Sequence, residues 1–401
     1  MAEKCAVAFG RYLKTLRERR RLSLDDVLSL SKAFPEPVGK GYLSRCEHGG
    51  QRIAFSKLIA LSRIYDVPSE VLVERMELDL ELDRVGGPET EGLSFEELEA
   101  TGKAASARGE MWEAYGYLRD ALPGARSAPL LASYRDNKEQ ELRAIMNYSI
   151  PVARHGRHAL ALHELEFVRS AGGLSEKHVV ALMELLSQRY RSLGDLERAI
   201  HFVDEAVIHA DAVGSDNCRA FAYSNKAFFA SRAKDSELAI NLYQQTYSLF
   251  SQLKLHHEAA RTQVNLAGVY FDQGRIGAAR RCLLSAERIA SRHDAQRQRI
   301  LCRILLGEIE AKEGNQQKAL RLWREAVQMA KDTHDHVLRF KAEFQLYKHA
   351  LNSNDRATAD SLARILERRS TWVPHDVEEL DEFRVLSGQA PRNRVAGSQL
   401  R

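Results

Sequence analysis

The chain has 401 residues, of which 44% are hydrophobic and 28% are charged. A disordered chain would contain fewer apolar residues and carry more net charge, so this composition is typical of a folded protein of two or three domains. No apolar run approaches the ~18 residues that a membrane-spanning helix needs, and the N-terminus lacks the apolar stretch of a secretory signal. We therefore expect a cytoplasmic protein.

The cysteines and the net charge narrow the class further. Five cysteines are spread along the chain with no CxxC pair, which favours a reducing compartment over a disulfide framework. The net charge is +4, and residues 1–78 alone hold 14 basic and 10 acidic side chains, so the rest of the chain is balanced. A positive excess confined to one small domain indicates that this domain meets a polyanion.

The first segment of the chain predicts five short helices. Ser23 is a suitable N-cap for the second helix, and the Asp25 and Asp26 carboxylates that follow it favour a helix N-terminus. Gly49 and Gly50 end the third helix, and Pro68 begins the fifth. The first, third and fourth helices are expected at about 9–20, 40–47 and 55–65.

This succession of helices resembles the Cro/repressor-type helix-turn-helix domain of the XRE family. The matching motifs are FxxYLxxLR from Phe9, LSLDDV from Leu22, YLSRCEHG from Tyr42 and LxxLSxxYDVP from Leu58. The resemblance implies a DNA-binding domain over residues 1–78. It also implies an ion pair between an arginine of the first helix and the glutamate that closes the third, which are Arg17 and Glu47 in this chain.

In that family the third helix enters the major groove of DNA and its exposed side chains contact base edges. The resemblance implies base contacts by Lys40, Ser44 and Arg45, with Tyr42 against a thymine methyl group or a phosphate. Phosphate contacts would come from Ser23, Arg52, Lys57 and the basic run Arg19-Arg20-Arg21. For that run, a solvated helix end is the alternative.

The segment between the second and third helices is longer than in the family pattern and contains Phe34-Pro35-Glu36-Pro37. A helix-two position that often holds glutamine is Leu24, and a reading position is Gly41. The docking of the third helix on DNA therefore stays open. A domain that serves only for dimerisation is the alternative.

Residues 79–93 contain a Gly-Gly-Pro turn and predict a linker, and the remainder predicts helical repeats. Alanines recur every 40 residues, at positions 159, 199, 239, 279, 319 and 359. Turn positions precede five of them at Gly194, Lys234, Gly274, Gly314 and Asn354. A fixed period of this length indicates a solenoid of stacked helical hairpins.

The repeat unit resembles the tetratricopeptide repeat, although it is longer than the family consensus and lacks the terminal proline. One of the closest units includes Leu266, Ala267, Tyr270, Gly274 and Ala279. The predicted fold class is all-α: a five-helix helix-turn-helix domain, then a right-handed α-solenoid of about 40-residue hairpins over residues 94–388. Residues 389–401 are expected to form a disordered tail.

The inner face of such a solenoid usually binds a peptide or protein. Asn225 and Asn265 stand 40 residues apart and therefore on the same side of successive hairpins, where asparagine amides can bond both backbone groups of an extended peptide. Asparagine at this position also has a structural role in the repeat family, which stays as the alternative. The further residues expected on this face are Phe221, Phe228, Arg232, Arg261, Asp272 and Glu308.

A helix-turn-helix domain followed by such repeats resembles the peptide-sensing RRNPP regulators. The resemblance implies a sequence-specific, nucleoid-associated transcriptional regulator, dimeric, whose repeats bind a signalling peptide or protein and modulate DNA binding. The alternative is an interaction scaffold or antitoxin-like partner in which the first domain is only a tether. No catalytic, phosphate-binding or metal-binding motif stands out, so we expect no enzyme activity, no cofactor and no metal.

Overall fold

The computed structural model describes residues 2–126, 134–333, 335–374 and 377–388, and within them twenty α-helices joined by turns and loops. The predicted all-α fold is confirmed over these residues. The disordered tail expected at 389–401 lies outside them. The chain divides into two compact units, Met1–Leu174 and Ser175–Arg401, and each is considered separately below.

The first unit contains nine helices within its described residues. Five form the N-terminal helical domain and four form two helical hairpins that follow it. In chain order they are α1 (Ala2–Arg19), α2 (Leu24–Ser31), α3 (Lys40–Glu47), α4 (Phe55–Tyr65), α5 (Ser69–Val85), α6 (Phe95–Arg108), α7 (Met111–Arg126), α8 (Tyr134–Arg154) and α9 (His158–Ala171).

Helix α2 begins where the sequence predicts, because Ser23 forms a reciprocal capping box with Asp26. The Asp26 N–H donates to Ser23 Oγ at 3.1 Å, and the Ser23 N–H donates to Asp26 Oδ2 at 2.8 Å. Two of the N–H groups that a helix start leaves unpaired are satisfied in this way. The apolar faces of the helices then meet in a core that includes Leu13, Val27 and Leu43.

The segment between α2 and α3 is held in place by one serine. Val38 is fully buried, and its N–H donates to Ser31 Oγ at 2.9 Å. The Ser31 hydroxyl in turn donates to the Leu28 carbonyl at 2.8 Å. A second contact ties the segment to the next helix, since Ser56 Oγ donates to Glu36 Oε2 at 2.6 Å. The extra length is therefore an anchored loop.

The segment expected to be a linker at 79–93 is partly helical. Helix α5 continues to Val85, and the Asp79 and Leu82 side chains are buried. Asp79 accepts hydrogen bonds from Tyr115 Oη at 2.8 Å and from Arg119 Nη1 at 3.0 Å, both on α7. Because a buried carboxylate needs such partners, α5 is part of the packing between the N-terminal helices and the first hairpin. The compact units therefore divide at a different place from the predicted domains.

The second unit is a row of helical hairpins. Each consists of a first helix, here the A helix, and a second, the B helix. The A helices are α10 (Glu176–Ser192), α12 (Asp216–Arg232), α14 (His256–Asp272), α16 (Gln296–Lys312) and α18 (His336–Asn352). The B helices are α11 (Leu196–Val213), α13 (Ser236–Gln252), α15 (Ile276–Arg292), α17 (Gln316–Asp332) and α19 (Arg356–Ser370), and a last helix, α20 (Glu378–Leu386), follows them.

Turns in the left-handed conformation recur along this unit. The predicted turn positions all have positive φ, including the non-glycine residues Lys234 (φ 64°) and Asn354 (φ 57°). A second series, between hairpins, falls halfway: Gly214, Lys254 and Asp294 also have positive φ. The sequence had shown only the first series, since the second lacks a run of glycines. Together they end a helix every 20 residues.

The alanines that revealed the period lie where the two helices of a hairpin meet. Ala199, Ala239, Ala279 and Ala319 are fully buried in their B helices. Small residues of the A helices complete this contact: a Cβ at Gly307 would overlap the Trp323 indole, whose Nε1 donates to the Ile304 carbonyl at 3.1 Å. Helical hairpins of this kind cannot bury their apolar faces alone, so they stack.

Candidate functional site

Helix α3 has one buried and one exposed face. Leu43, Cys46 and Glu47 are buried, whereas Lys40 and Arg45 are exposed and Ser44 is partly exposed. The three residues expected to contact base edges therefore lie on the side of the helix that a ligand can reach. Cys46 packs in the core, and burial raises the pKa of its thiol.

The Arg17–Glu47 ion pair holds the end of α3 against α1. Arg17 Nε donates to Glu47 Oε1 at 2.7 Å and Nη2 donates to Oε2 at 2.8 Å. The third nitrogen, Nη1, donates to the Leu22 carbonyl at 2.9 Å, just before α2. This bidentate geometry is one of the stronger hydrogen-bond arrangements available to side chains. It fixes α1, α2 and α3 relative to one another.

Both expected base-contacting cations, Lys40 and Arg45, have weakly bound partners in the free chain. Lys40 Nζ lies 2.7 Å from Asp25 Oδ2, with 54% of the lysine and 68% of the aspartate side chain exposed. Arg45 Nε donates to Gln51 Oε1 at 2.9 Å in an exposed contact. Exposed ion pairs contribute at most about 1 kcal/mol, and the Gln51 amide carries no charge, so both cations can exchange these partners for a phosphate or another strong anion.

Tyr42, Arg52 and Lys57 meet around the loop between α3 and α4. The Tyr42 hydroxyl accepts the Ala54 N–H at 2.8 Å and donates to the Arg52 carbonyl at 3.3 Å. Lys57 Nζ lies 4.1 Å from the centre of the Tyr42 ring. Tyr42 thus holds the loop that presents the exposed Arg52 side chain, a role that the sequence pattern did not indicate.

The other expected phosphate contacts are already engaged within the chain. The Ser23 hydroxyl donates to Asp26 Oδ2 at 2.6 Å. Arg20 Nε donates to the Tyr65 carbonyl at 2.7 Å, and its guanidinium also pairs with the Asp66 carboxylate. Both side chains therefore stabilise helix ends in the free chain.

Arg19 corrects the expectation that the whole run 19–21 is an exposed phosphate clamp. Its guanidinium pairs with Glu164 Oε2 at 2.7 Å and lies 3.8 Å from the centre of the Phe167 ring, both on α9. The Tyr12 hydroxyl donates to the same carboxylate at 2.9 Å. Burial favours the neutral carboxyl, but the charge and hydrogen bonds of Arg19 outweigh it and lower the pKa of Glu164 to about 2.

A second buried cluster joins the N-terminal helices to the hairpins of the same unit. Arg75 Nε donates to Asp79 Oδ2 at 2.9 Å, and Arg75 Nη1 donates to Tyr148 Oη at 2.7 Å. With Tyr115 and Arg119, these residues form what we call the junction cluster. Its members come from α5, α7 and α8, so no local sequence motif could show it.

The residues expected to bind a peptide lie on the A helices of the second unit. Asn265 lies close to Tyr243, and burial raises the pKa of Tyr243 above its usual range. The Phe221 and Phe250 rings meet edge-to-face with centroids 5.1 Å apart. Arg191 stacks on Phe228, with its guanidinium 4.3 Å from the ring centre. We call the face of the A helices that carries Asn225 and Asn265 the groove face.

Acidic and basic groups also meet on this face. Gln345 Nε2 donates to Glu308 Oε1 at 3.0 Å. Burial raises the pKa of Glu308 to about 7; Lys348 opposes this shift, and the Glu379 and Asp272 carboxylates add to it. Asp272 and Glu308 are thus near each other, as their shared face predicts, although α20 contributes a carboxylate that the sequence had not placed here.

Two of the expected cationic contacts, Arg261 and Arg232, have partners within the second unit. Arg261 Nη2 lies 2.7 Å from Glu258 Oε2 on its own helix. Arg232 Nη1 lies 2.5 Å from Glu378 Oε1 of α20.

Over the residues that the structure describes, no group of three or more His, Cys, Asp and Glu side chains could hold a metal ion. The same residues include no helix long and apolar enough to cross a membrane.

Comparison with known families agrees with this architecture. Residues 8–76 match the model of a helix-turn-helix domain, and residues 218–292 and 258–332 match that of a tetratricopeptide repeat. No curated protein matches the sequence. The chain therefore joins an N-terminal helix-turn-helix domain to tetratricopeptide repeats, as its motifs predicted.

Solved structures show the same fold. The Rap conjugation gene regulator of plasmid pLS20, in complex with the Phr* peptide, is 11% identical with a TM-score of 0.58, covering 98% of both chains. A Rap protein complexed with competence and sporulation factor is 14% identical with a TM-score of 0.52, covering 92% of this chain and 88% of the other. The apo form of RapI is 13% identical with a TM-score of 0.52, covering 69% and 98% respectively. This likeness concerns the fold.

Proposed function

We propose that the protein is a sequence-specific DNA-binding transcriptional regulator, acting as a homodimer on the nucleoid. The observation that supports it best is the arrangement of α3. One face is clamped to α1 by Arg17 and Glu47, and the other presents Lys40, Ser44 and Arg45. A rigid helix with exposed cations on one side is what major-groove recognition needs.

We further propose that the repeats receive a peptide or protein and that its binding changes the affinity or geometry of the DNA complex. The groove face combines amide, aromatic and charged side chains, which suits an extended polypeptide. Two of the structures that share the fold are complexes of Rap proteins with a peptide or factor. These complexes support a polypeptide as the ligand class for this chain.

The first experiment is selection of fragmented genomic DNA by the full-length chain at physiological salt, followed by footprinting of the recovered sites. We expect an inverted repeat, since a symmetric dimer binds two half-sites. The double variant Lys40→Ala, Arg45→Ala should lose protection of that site while keeping weak, salt-sensitive binding to random DNA.

The matched control is Lys32→Ala, Arg63→Ala, which removes the same charge from exposed positions of the same domain outside α3. It should keep the footprint. If both double variants protect the selected site as the wild type does, α3 is not the reading element. If the wild type enriches no sequence, the regulator proposal fails.

A further inference from the structure

Helix α20, the last in the described residues, brings carboxylates to the groove face. The first turn of α20 contains Glu378, Glu379 and Asp381. Lys341 Nζ on α18 lies 2.8 Å from Glu379 Oε2, and Arg232 Nη1 on α12 lies 2.5 Å from Glu378 Oε1. Helices that are far apart in the row of hairpins therefore meet the same short acidic helix.

The two ends of this contact differ in strength. Leu380 and Phe383 are buried in a cluster with Phe340 and Phe344 of α18, so α20 is anchored by apolar packing at the end of the row. Glu378 is 65% exposed and Arg232 is 29% exposed. An ion pair of this exposure is weak. Glu378 can therefore leave Arg232 while the rest of α20 stays packed.

Arg232 lies on the same side of α12 as the amide of Asn225, about 10 Å further along the helix. It follows Asn225 by seven residues on α12, which is two helical turns and the same side of the helix. Arg261 projects from the corresponding side of α14, four residues before Asn265. A polypeptide of several residues that lies along Asn225 and Asn265 can therefore extend along this side of α12 to the Arg232 guanidinium, which can bind a carboxylate through two parallel donors.

We infer that Arg232 is a carboxylate-binding subsite of the groove, which Glu378 occupies in the free chain and which a carboxylate of the peptide ligand takes over on binding. The inference rests on the proposed peptide-binding function. The carboxylate is that of an aspartate or glutamate side chain or of the peptide C-terminus. Such a ligand competes with one ion pair and leaves the fold of the second unit intact.

The test is a selection of random seven-residue peptides on the full-length protein, followed by affinity measurement with defined synthetic versions of the recovered peptides. One version has its acidic residues replaced by the amides Asn or Gln, and another has an amidated C-terminus. We expect one of the two neutralised versions to bind about tenfold or more weakly, which also identifies the source of the carboxylate.

The variants Arg232→Gln and Glu378→Gln separate the subsite from its internal occupant. Arg232→Gln should abolish the difference between charged and neutralised peptides, and Arg232→Lys should restore part of it. Glu378→Gln should raise the affinity for the charged peptide about two- to fivefold, since it removes only a weak competitor. Arg321→Gln, at an exposed ion pair of the B helix α17, is the control and should change neither.

Unfolding curves of each variant show whether the second unit remains folded. If selected peptides bind equally well in charged and neutralised forms, the carboxylate subsite is wrong and peptide binding stands. If Arg232→Gln stays folded and keeps the discrimination, another cation provides it. If no peptide is enriched on the wild type or on Glu378→Gln, the proposed peptide-binding function itself fails.

Discussion

Arg75 on α5 donates a hydrogen bond to the hydroxyl of Tyr148 on α8, with 2.7 Å between Nη1 and Oη, across 73 residues of sequence. The same guanidinium pairs with Asp79, which has no solvent exposure. A bond between these two side chains makes α5 a shared element of the helix-turn-helix domain and the hairpins that follow it. A shift of α8 would therefore also displace α5 and the N-terminal helices that pack against it.

Removal of Arg75 should destabilise the first unit strongly. Arg75→Met leaves the buried Asp79 carboxylate with fewer partners, and breaking a buried ion pair on one side costs about 3 to 5 kcal/mol. Because Arg119 also pairs with Asp79 at 3.0 Å, we expect the lower part of this range. Urea denaturation of the full-length variant measures it. Arg108→Met, at an exposed pair with Glu110, is the control and should leave the urea midpoint close to that of the wild type.

Glu164 should make the first unit sensitive to acid. Its pKa is lowered to about 2 in the folded chain, because Arg19 outweighs the effect of burial, whereas its ordinary value is 4.5. The charged form is thus favoured by folding, and this contribution is present above pH 4.5 and lost as the pH falls toward 2. At pH 7, Glu164→Gln should be less stable than the wild type. Between pH 5 and pH 2, the unfolding free energy of the wild type should fall by about 3 kcal/mol more than that of Glu164→Gln.

Urea unfolding curves, followed by circular dichroism at a series of pH values, test the Glu164 prediction. The control is Glu166→Gln on the same helix, whose carboxylate pairs with the exposed Arg169. A Glu164→Gln profile parallel to that of the wild type would show that other carboxylates govern the acid transition.

Glu184 should have the opposite pH dependence. It is buried in α10, its Oε1 atom has no hydrogen-bond partner among the residues that the structure describes, and burial raises its pKa to about 8 from 4.5. The neutral form is favoured by folding, so this contribution is complete below pH 4.5 and is lost as the pH rises through 8. Glu184→Gln should therefore stabilise the second unit at pH 8.5 relative to pH 5.5, by a few kcal/mol at most.

Thermal melts of wild type and Glu184→Gln at both pH values give the comparison. The melting temperature of Glu184→Gln minus that of the wild type should be larger at pH 8.5 than at pH 5.5. A constant difference between the two proteins from pH 5.5 to pH 8.5 would mean that Glu184 is ionised in the folded chain over that range, as it is in the unfolded chain.

Two glycines inside helices should respond to alanine with opposite signs. A Cβ at Gly10 would overlap the Cys46 carbonyl and lie 2.9 Å from the Glu47 carbonyl oxygen, so α1 and α3 would have to separate. We expect Gly10→Ala to cost about 1 to 3 kcal/mol despite its better helix propensity. Within the described part of the chain, Gly268 on α14 has no neighbour within 4 Å of that position. Gly268→Ala should stabilise by up to about 1 kcal/mol.

Denaturation of the two variants under the same conditions checks this pair. If α3 contacts DNA as proposed, Gly10→Ala should also weaken DNA binding, because the position of α3 depends on its contact with α1. Equal stabilisation by both substitutions would show that α1 and α3 can separate slightly at little cost.

The predicted site residues differ in how local their surroundings are. The helical period alone predicts which side chains of α3 are buried: Leu43 and Cys46 face the core, and Lys40 faces solvent. The environment of Arg19 does not follow from helical spacing, because its partner Glu164 is 145 residues away in the sequence. Adjacent positions in a basic run look alike in sequence, and only the helix α9 that packs beside one of them distinguishes it.

The groove face shows the same division. Asn225 and Asn265 share a face because they stand one 40-residue period apart, and that period is a local property of helices and turns. The ion pair of Arg232 with Glu378 spans most of the second unit. No spacing rule links an A helix with the last helix of the chain, so the internal partner of Arg232 could not be anticipated.

The sequence by itself determined the helices, their period and the two kinds of domain. Caps such as Ser23, small residues such as Ala279 and turns such as Gly274 act within one hairpin, where chain connectivity already brings the partners together. Only the tertiary structure decided which charges are available to a ligand and which are neutralised inside the protein. That outcome depends on desolvation and on ion pairs between distant segments, and these energies exist only when the chain has folded.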